Sequence, residues 1–466
     1  MRPLVLFEGM ALTSARKSSG QLTPPGFGEA AGVWARIGLL GFGGPAGQIA
    51  LMHKMLVEDR RWIGERRFLH ALNYCMLLPG PEAQQLAVYI GWLLHGVAGG
   101  LLAGLLFILP GVLVMLGLSA FYVIYSDAPL VEALFLGIKA AVLAIVAQAA
   151  LRIGARALKN NALLALAVMS FVGIYVFSLP FPVIIVVAGL LGWVGSRMVP
   201  ALFAPRSGPG AGDDAPGAVD LMFEQGLMDH TRPSASRALR TTAIWLPIWL
   251  GPVVVLWVAT GSSLWTQIGG FFSVMAVITF GGAYAALAYV AQAAVESFGW
   301  LTPPEMADGL GLAETTPGPL ILVLQFVGFL AAYREAGFEA PLAAGALGGL
   351  LVVWVTFAPC FYWIFLGAPY VEKLRTNEPL SAALSAIAAA VVGVVLNLSL
   401  WFALHLLFRE TRRIGFGMDA PVWSSFDWRA ALLAALAATA MFGLKFGMAT
   451  TLALSALGGL VIHMAS

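Results

Sequence analysis

Apolar runs, each about the length of a membrane-crossing helix, follow one another through most of the chain. A helix needs about 20 apolar residues to cross the roughly 30 Å hydrocarbon core of a bilayer. About thirteen hydrophobic units satisfy this pattern. They cover 29–51, 68–98, 99–125, 129–151, 161–179, 181–203, 241–259, 264–294, 316–336, 340–368, 379–408, 429–443 and 446–464. The pattern predicts an all-α polytopic membrane protein.

The same short motifs recur in both halves of the chain, in the same order. Three of them share an offset of 238 residues: Phe42-Gly43-Gly44 with Phe280-Gly281-Gly282, Trp62 with Trp300, and Pro79-Gly80-Pro81 with Pro317-Gly318-Pro319. Farther along, Pro110 matches Pro359 and Pro129-Leu130 matches Pro379-Leu380 at slightly larger offsets. Three matches at one offset favour an internal duplication over chance. The expected divisions are an N-terminal cytoplasmic tail (1–28), membrane repeat 1 (29–203), a flexible polar linker (204–240), a connecting transmembrane helix (241–260) and membrane repeat 2 (261–466).

Charge predicts that the two repeats are inverted in the membrane. Segment 52–67 carries five Lys or Arg residues, whereas its counterpart 290–305 carries none. Basic loops stay on the cytoplasmic side, so equivalent loops should lie on opposite sides. The N-terminal tail is also basic, although one apolar unit separates it from 52–67. Re-entrant hairpins over 29–51 and 68–98 would resolve this conflict, and full spans remain the alternative.

Composition supports the membrane interpretation. Hydrophobic residues make up 60% of the chain and charged residues 11%, against about 45–50% and 25% in soluble proteins. The net charge of +2 gives no basis for nucleic-acid binding. Cys75 and Cys360 lie far apart in apolar runs, which supports neither a disulfide framework nor a metal cluster.

The two Pro-Gly-Pro motifs lie inside apolar units and must interrupt helices, because proline lacks the N–H group and its ring clashes with the preceding turn. A helix that restarts at Pro81 or Pro319 would expose unpaired N–H groups and the positive end of its dipole. Broken helices at matching positions of inverted repeats are typical of substrate sites in secondary transporters. We therefore expect an anion site here, and a kink filled by neighbouring side chains is the alternative.

Further candidates surround the two breaks. Gly43, Gly44, Gly281 and Gly282 permit unusual backbone angles or close backbone approach, although helix packing through small residues explains them equally well. Lys139 lies ten residues after Pro129, about 15 Å along a helix, which places its ammonium near the bilayer midplane. A bound dianion would supply its countercharge, and an ion pair with a neighbour such as Glu82 is the alternative.

The remaining polar candidates have less specific signals. Arg36 could face the same cavity or extend to the membrane edge. Glu82 could cap a helix dipole or take up a proton coupled to transport, and Glu314 could cap or gate. Neutral hydrogen-bonding groups near the breaks complete the expected set: Gly80, Gln84, Gln85, Thr316 and Gly318.

Enzyme signatures do not occur in the sequence. It contains no phosphate-binding Gly-x-x-x-x-Gly-Lys-Ser/Thr loop, no His-Glu-x-x-His and no Gly-x-Ser-x-Gly, and its six histidines have no metal-ligand spacing. We therefore expect no catalytic residues, no metal and no cofactor. The energy for transport would come from an ion gradient or the membrane potential.

At these motifs the sequence resembles the chromate ion transporter family in its long two-repeat form. The resemblance rests on Gly41-Phe42-Gly43-Gly44-Pro45, Trp62, the stretch from Leu78 to Leu86, Phe280-Gly281-Gly282 and the stretch from Glu314 to Pro319. It implies a multi-pass protein of the bacterial inner membrane that exports chromate and confers chromate resistance. The residues alone predict only a small or divalent anion. Sulfate as competitor or substrate, a passive channel, an intramembrane enzyme and a homodimeric assembly remain open.

Overall fold

The computed structural model describes residues 24–199, 216–261, 263–280, 282–371, 377–414 and 418–465. These ranges contain seventeen α-helices and one short hairpin. The helices of the first half are α1 Phe27–Leu40, α2 Gly44–His53, α3 Glu65–Cys75, α4 Glu82–Tyr125, α5 Pro129–Ala157, α6 Asn161–Tyr175 and α7 Phe181–Met198. They are followed by α8 Ala218–Glu224 and α9 Ala235–Thr260.

The second half contains the other helices and the hairpin. The helices are α10 Leu264–Ile278, α11 Ala283–Gln292, α12 Pro303–Thr315, α13 Val323–Glu335, α14 Pro341–Gly367, α15 Glu378–Leu407, α16 Trp428–Ala438 and α17 Met448–Met464. Strands β1 Thr411–Ile414 and β2 Met418–Pro421 pair antiparallel between α15 and α16.

Six helices within the described ranges are long and apolar enough to cross a membrane. They are α4, α5, α7, α9, α14 and α15. Together with the shorter apolar helices α6, α10, α16 and α17, they confirm the predicted all-α polytopic membrane fold. The predicted boundary at 98–99 lies close to a break in α4, because His95 and Gly96 have non-helical backbone angles. The two parts of α4 fold back on each other there, so that a Cβ on Gly91 would collide with the Gly99 carbonyl oxygen.

The predicted interruptions occur in both halves. The unit 29–51 divides into α1 and α2 around Gly41–Gly43, and its counterpart 264–294 divides into α10 and α11. Neither α1, with 14 residues, nor α2, with 10 residues, is long enough to span a bilayer alone. Backbone carbonyl and N–H groups at such breaks need partners within the protein.

Local geometry repeats at the offset of 238 residues. A π-helical turn at Lys54–Glu58 has a counterpart at Ala293–Ser297, one residue out of register. After it, the Trp62 N–H donates to the Leu56 carbonyl at 2.8 Å, and the Trp300 N–H donates to the Ala294 carbonyl at 2.8 Å. The duplicated motifs therefore fold alike.

The two halves exchange packing partners at their C-terminal ends. Helix α5 of the first half packs against α16 and α17, and its counterpart α15 packs against α6 and α7. Such reciprocal contacts are typical of two units related by an approximate two-fold axis. The opposite orientation of the two units in a membrane stays a prediction.

The polar segment differs from the flexible linker that its composition predicts. Residues 204–215 and the tail up to residue 23 lie outside the described ranges. From residue 216 onward the segment folds into α8 and packs against repeat 1, where its Ala218 N–H donates to Arg61 O at 2.9 Å. The connecting helix begins at Ala235 rather than 241, because Ser234 accepts a hydrogen bond from the Arg237 N–H and caps it.

Candidate functional site at the helix breaks

One main-chain hydrogen bond joins each Pro-Gly-Pro break to the Gly-rich turn of the other repeat. The Gly80 N–H donates to the Thr279 carbonyl at 2.8 Å, and the Gly318 N–H donates to the Gly41 carbonyl at 2.9 Å. Thr279 and Gly41 are themselves equivalent at the offset of 238 residues. The four interruptions therefore meet in the interior as a reciprocal pair.

Glycine is required at the centre of both breaks. Gly80 and Gly318 have φ angles of 113° and 101°, which side chains of L-residues rarely adopt. A Cβ on Gly80 would lie 3.0 Å from Cys360 Sγ, and one on Gly318 would lie 3.4 Å from the Gly111 Cα. Close approach of α14 and α4 thus encloses the two breaks.

Helices begin at the breaks, and the N-termini of α4 and α11 lie close together. Helix α2 begins at Gly44, α4 at Glu82 and α11 at Ala283. The predicted helix start at Pro319 is wrong in detail, because a 3-10 turn over Leu320–Leu322 precedes α13. Positive helix ends favour negative charge. An acidic side chain lies at these helix ends, since a Cβ on Gly282 would lie 3.5 Å from Glu82 Oε1.

Two buried glutamines brace the breaks. Gln48 Nε2 donates to the Gly41 carbonyl at 3.1 Å and also to the Gly318 carbonyl, so it joins both halves. Gln85 Nε2 donates to the Pro79 carbonyl at 2.7 Å. Sequence reasoning missed Gln48, and its repeat counterpart is Ala286, so the duplication gave no signal for it.

Other buried polar groups at the breaks lack partners among the described protein atoms. Gln84 is fully buried, and neither its amide nitrogen nor its amide oxygen has a hydrogen-bond partner there. Glu314 accepts a hydrogen bond from the Tyr284 hydroxyl at 2.9 Å on one oxygen, and its Oε2 has none. The Thr316 hydroxyl donates to the Leu312 carbonyl at 2.7 Å. Unsatisfied buried polar atoms are costly, so a ligand or water is expected to complete them.

Lys139 does not belong to this cluster. Its ammonium lies 3.2 Å from Asp308 Oδ1. The ion-pair partner of Lys139 is therefore Asp308, rather than Glu82 or a bound anion. Asp308 precedes Thr316 by eight residues on α12, which corresponds to about 12 Å along the helix. Sequence reasoning missed Asp308 because it falls between two predicted apolar units.

The other predicted site residues have mixed positions. Gly80, Pro81, Gly318 and Pro319 are buried at the breaks. Arg36 and Gly43 are exposed on the outer surface of α1 and at the turn that follows it. Whether Arg36 faces the breaks stays a prediction, and Gly281 lies outside the described residues.

Broken helices with enclosed, unsatisfied polar groups in a polytopic membrane protein are typical of secondary transporters. Comparison with known sequences identifies the family. The sequence profile of the chromate transporter family matches residues 29–193 and 266–461. The chain belongs to this family, and the two matched regions lie on either side of the polar segment.

Individual relatives agree with this assignment. The chain is 32% identical over 371 residues to a chromate transport protein of Pseudomonas aeruginosa, covering 77% of each sequence. It is 27% identical over 364 residues to a chromate transport protein of Cupriavidus metallidurans, covering 77% of this chain and 78% of that one. A probable chromate transport protein of Synechococcus elongatus is 27% identical over 360 residues, covering 77% and 80% respectively. No solved structure matches the chain.

Proposed function

We propose that this protein exports chromate across the bacterial inner membrane and thereby confers chromate resistance. Family membership and the names of the relatives support chromate as the substrate. The observation that carries the proposal is the reciprocal pair of hydrogen bonds at the two breaks, which encloses unsatisfied polar groups beside several helix N-termini.

The chemistry at the breaks suits a tetrahedral oxyanion. The Gln84 amide is a hydrogen-bond donor without a protein acceptor within the described residues. The N-cap residue of α4, Pro81, offers no side-chain acceptor, and the first N–H groups of a helix have no acceptor in the helix itself. Donors of this kind, together with positive helix ends, bind oxyanions without a neutralising side chain. In this proposal Glu82 takes up and releases a proton in step with transport, and Glu314 gates the second break.

Alternating access between two inverted repeats is the proposed mechanism. Gly80, Gly318 and Gln84 are buried, so the repeats must separate on one side before an anion can reach them. The exchanged packing of α5 and α15 supports a movement of one repeat against the other. Because the interior of the cell is negative, export of a dianion gains about 4.6 kcal/mol per 100 mV.

Inverted membrane vesicles test this function. Labelled chromate is expected to accumulate in vesicles that contain the protein when the lumen is positive, with a rate that saturates with chromate concentration. Uptake of sulfate with unlabelled chromate as a weak competitor would instead identify a sulfate carrier. Flux that does not saturate would identify a channel, and the absence of uptake for both anions would contradict the proposal.

A further inference from the structure

A second charged cluster lies on α12, away from the breaks. Asp308 is buried, with 5% of its surface exposed. It contacts the Lys139 ammonium at 3.2 Å and accepts a hydrogen bond from the Tyr122 hydroxyl at 2.9 Å. One carboxylate is thus held by one cation and one hydroxyl donor, contributed by α5 and α4.

The Lys139 side chain also borders an open cavity of about 90 Å³. Pro303 and Pro304 at the start of α12 form one wall, and Phe402 and His405 of α15 form another. A water molecule needs roughly 10–15 Å³ of such space, so the cavity has room for several waters or one small oxyanion. Lys139 lines the cavity and its side chain is 18% exposed, so an anion in the cavity can contact this side chain.

The donors around Asp308 are those that an oxyanion would use. A carboxylate and a tetrahedral oxyanion both accept charge-assisted hydrogen bonds from an ammonium and from hydroxyl groups. We propose that the Lys139–Asp308 pair is a second oxyanion site on the transport path. Without an anion, the Asp308 carboxylate pairs with Lys139. When an anion binds Lys139 instead, Asp308 takes up one proton.

The proton follows from the burial of Asp308. A buried carboxylate that loses its cation is costly, so Asp308 binds a proton from water in the cavity and becomes a neutral acid, with one O–H bond formed. Other titratable groups face it from the surrounding elements. Glu305 and Arg334 form a bidentate ion pair with each other at the start of α12, and His405 reaches the cavity from α15.

The inference rests on the proposed function, and binding measurements separate the two. The affinity of the purified full-length protein for chromate is measured between pH 6 and pH 9 for wild type and for Asp308→Asn. The asparagine variant needs no proton, so at pH 8 it is expected to bind at least tenfold more tightly than wild type. The ratio of the chromate affinity of Asp308→Asn to that of wild type should fall by up to tenfold per pH unit as the pH falls, because one linked proton changes the wild-type affinity by that factor. The titration of chromate itself is common to both proteins and cancels in the ratio.

Two further variants sharpen the test. Glu305→Gln removes the other ion pair of α12 and the weakest of the groups that act on Asp308, so it should shift the pH dependence of wild type less than Tyr122→Phe does. Tyr122→Phe removes only the hydroxyl donor to Asp308, so the pH at which affinity changes should move upward. If Asp308→Asn fails to fold, the shift in Tyr122→Phe still tests the proposal.

Two results would contradict the inference. The same pH dependence in wild type, Asp308→Asn and Tyr122→Phe would overturn the second site and leave the proposed function standing. Failure of folded wild type to bind chromate or sulfate at any pH would overturn both.

Discussion

Gln84 and Gln85 are sequence neighbours with opposite surroundings. Gln85 donates to the Pro79 carbonyl, whereas both amide atoms of Gln84 lack a partner among the described protein atoms. Replacing Gln84 by Met removes unsatisfied polar atoms at similar volume, so we expect an unchanged or higher thermal midpoint and at least a tenfold loss of chromate uptake. Replacing Gln85 by Met removes a buried hydrogen bond, so stability should fall by about 1 kcal/mol or more.

Thermal unfolding in detergent and uptake in vesicles measure the two effects separately. A Gln84→Met protein that transports chromate at the wild-type rate would exclude Gln84 from the site. A large loss of stability in that variant would instead show that its amide has a structural partner.

The two break glycines should be the least replaceable positions of the site. Alanine at Gly80 or Gly318 must adopt a φ above 100° and meets atoms of the other repeat. Strain of this kind costs about 1–3 kcal/mol at each position, so both variants should unfold at lower temperature. Gly117→Ala is the matched control, because Gly117 is an exposed helical glycine with nothing within 4 Å of the new Cβ. Equal thermal midpoints for Gly80→Ala and Gly117→Ala would contradict the geometry of the break.

Some residues of the site could be predicted from sequence and others could not. Proline and glycine disrupt helices by local chemistry, so Pro79-Gly80-Pro81 and its repeat are visible without a fold. Asp308 and Gln48 act through partners far along the chain, namely Lys139 and Gly318. No local pattern reports such partners, which is why the sequence predicts a bound dianion or Glu82, and not Asp308, as the countercharge of Lys139.

At the scale of elements, the segment around α8 packs against repeat 1 through hydrogen bonds and an ion pair. Asp220 accepts hydrogen bonds from the Gly64 and Gly217 N–H groups and pairs with Arg67. His230 Nε2 lies 3.0 Å from the Trp92 carbonyl. The Gly and Pro content of the segment predicts flexibility, but these contacts join positions that are more than a hundred residues apart. Composition alone therefore could not predict the docking.

The docking of this segment should weaken in acid. Burial lowers the pKa of His230, so the docked state favours the neutral ring. The undocked chain binds a proton near pH 6.5, and docking therefore loses stability as the pH falls from about 7 through 6.5 towards the lowered pKa. Trypsin cleavage after Arg237 should accelerate at pH 5.5 relative to pH 7.5, after correction with an unfolded peptide substrate.

His230→Gln supplies the control for this prediction. Glutamine retains an N–H donor for the Trp92 carbonyl but does not titrate in this range, so the acid-dependent increase should disappear. If the increase persists in this variant, another group controls the docking.

At the scale of the whole molecule, the duplication was predictable and the exchange of partners was not. Motifs that recur at one offset predict two similar units. They do not report that α5 packs against α16 and α17, or that the break of one repeat bonds to the turn of the other. Those contacts follow from how the units dock, which depends on complementary surfaces rather than on any local pattern.

The orientation of the two units in the membrane is the remaining consequence of this architecture. Asp59 and Ser297 are equivalent at the offset of 238 residues, and both are exposed. If the repeats are inverted, a cysteine at position 59 faces the cytoplasm and one at position 297 faces the opposite side, because basic residues surround only the first. A membrane-impermeant maleimide should therefore label Asp59→Cys only in inside-out vesicles and Ser297→Cys only in intact, right-side-out vesicles. The native Cys75 and Cys360 are buried, so the unsubstituted protein supplies the background. Labelling of both variants from the same side would mean that the repeats are parallel, and the proposed exchange of access between two inverted units would fail with it.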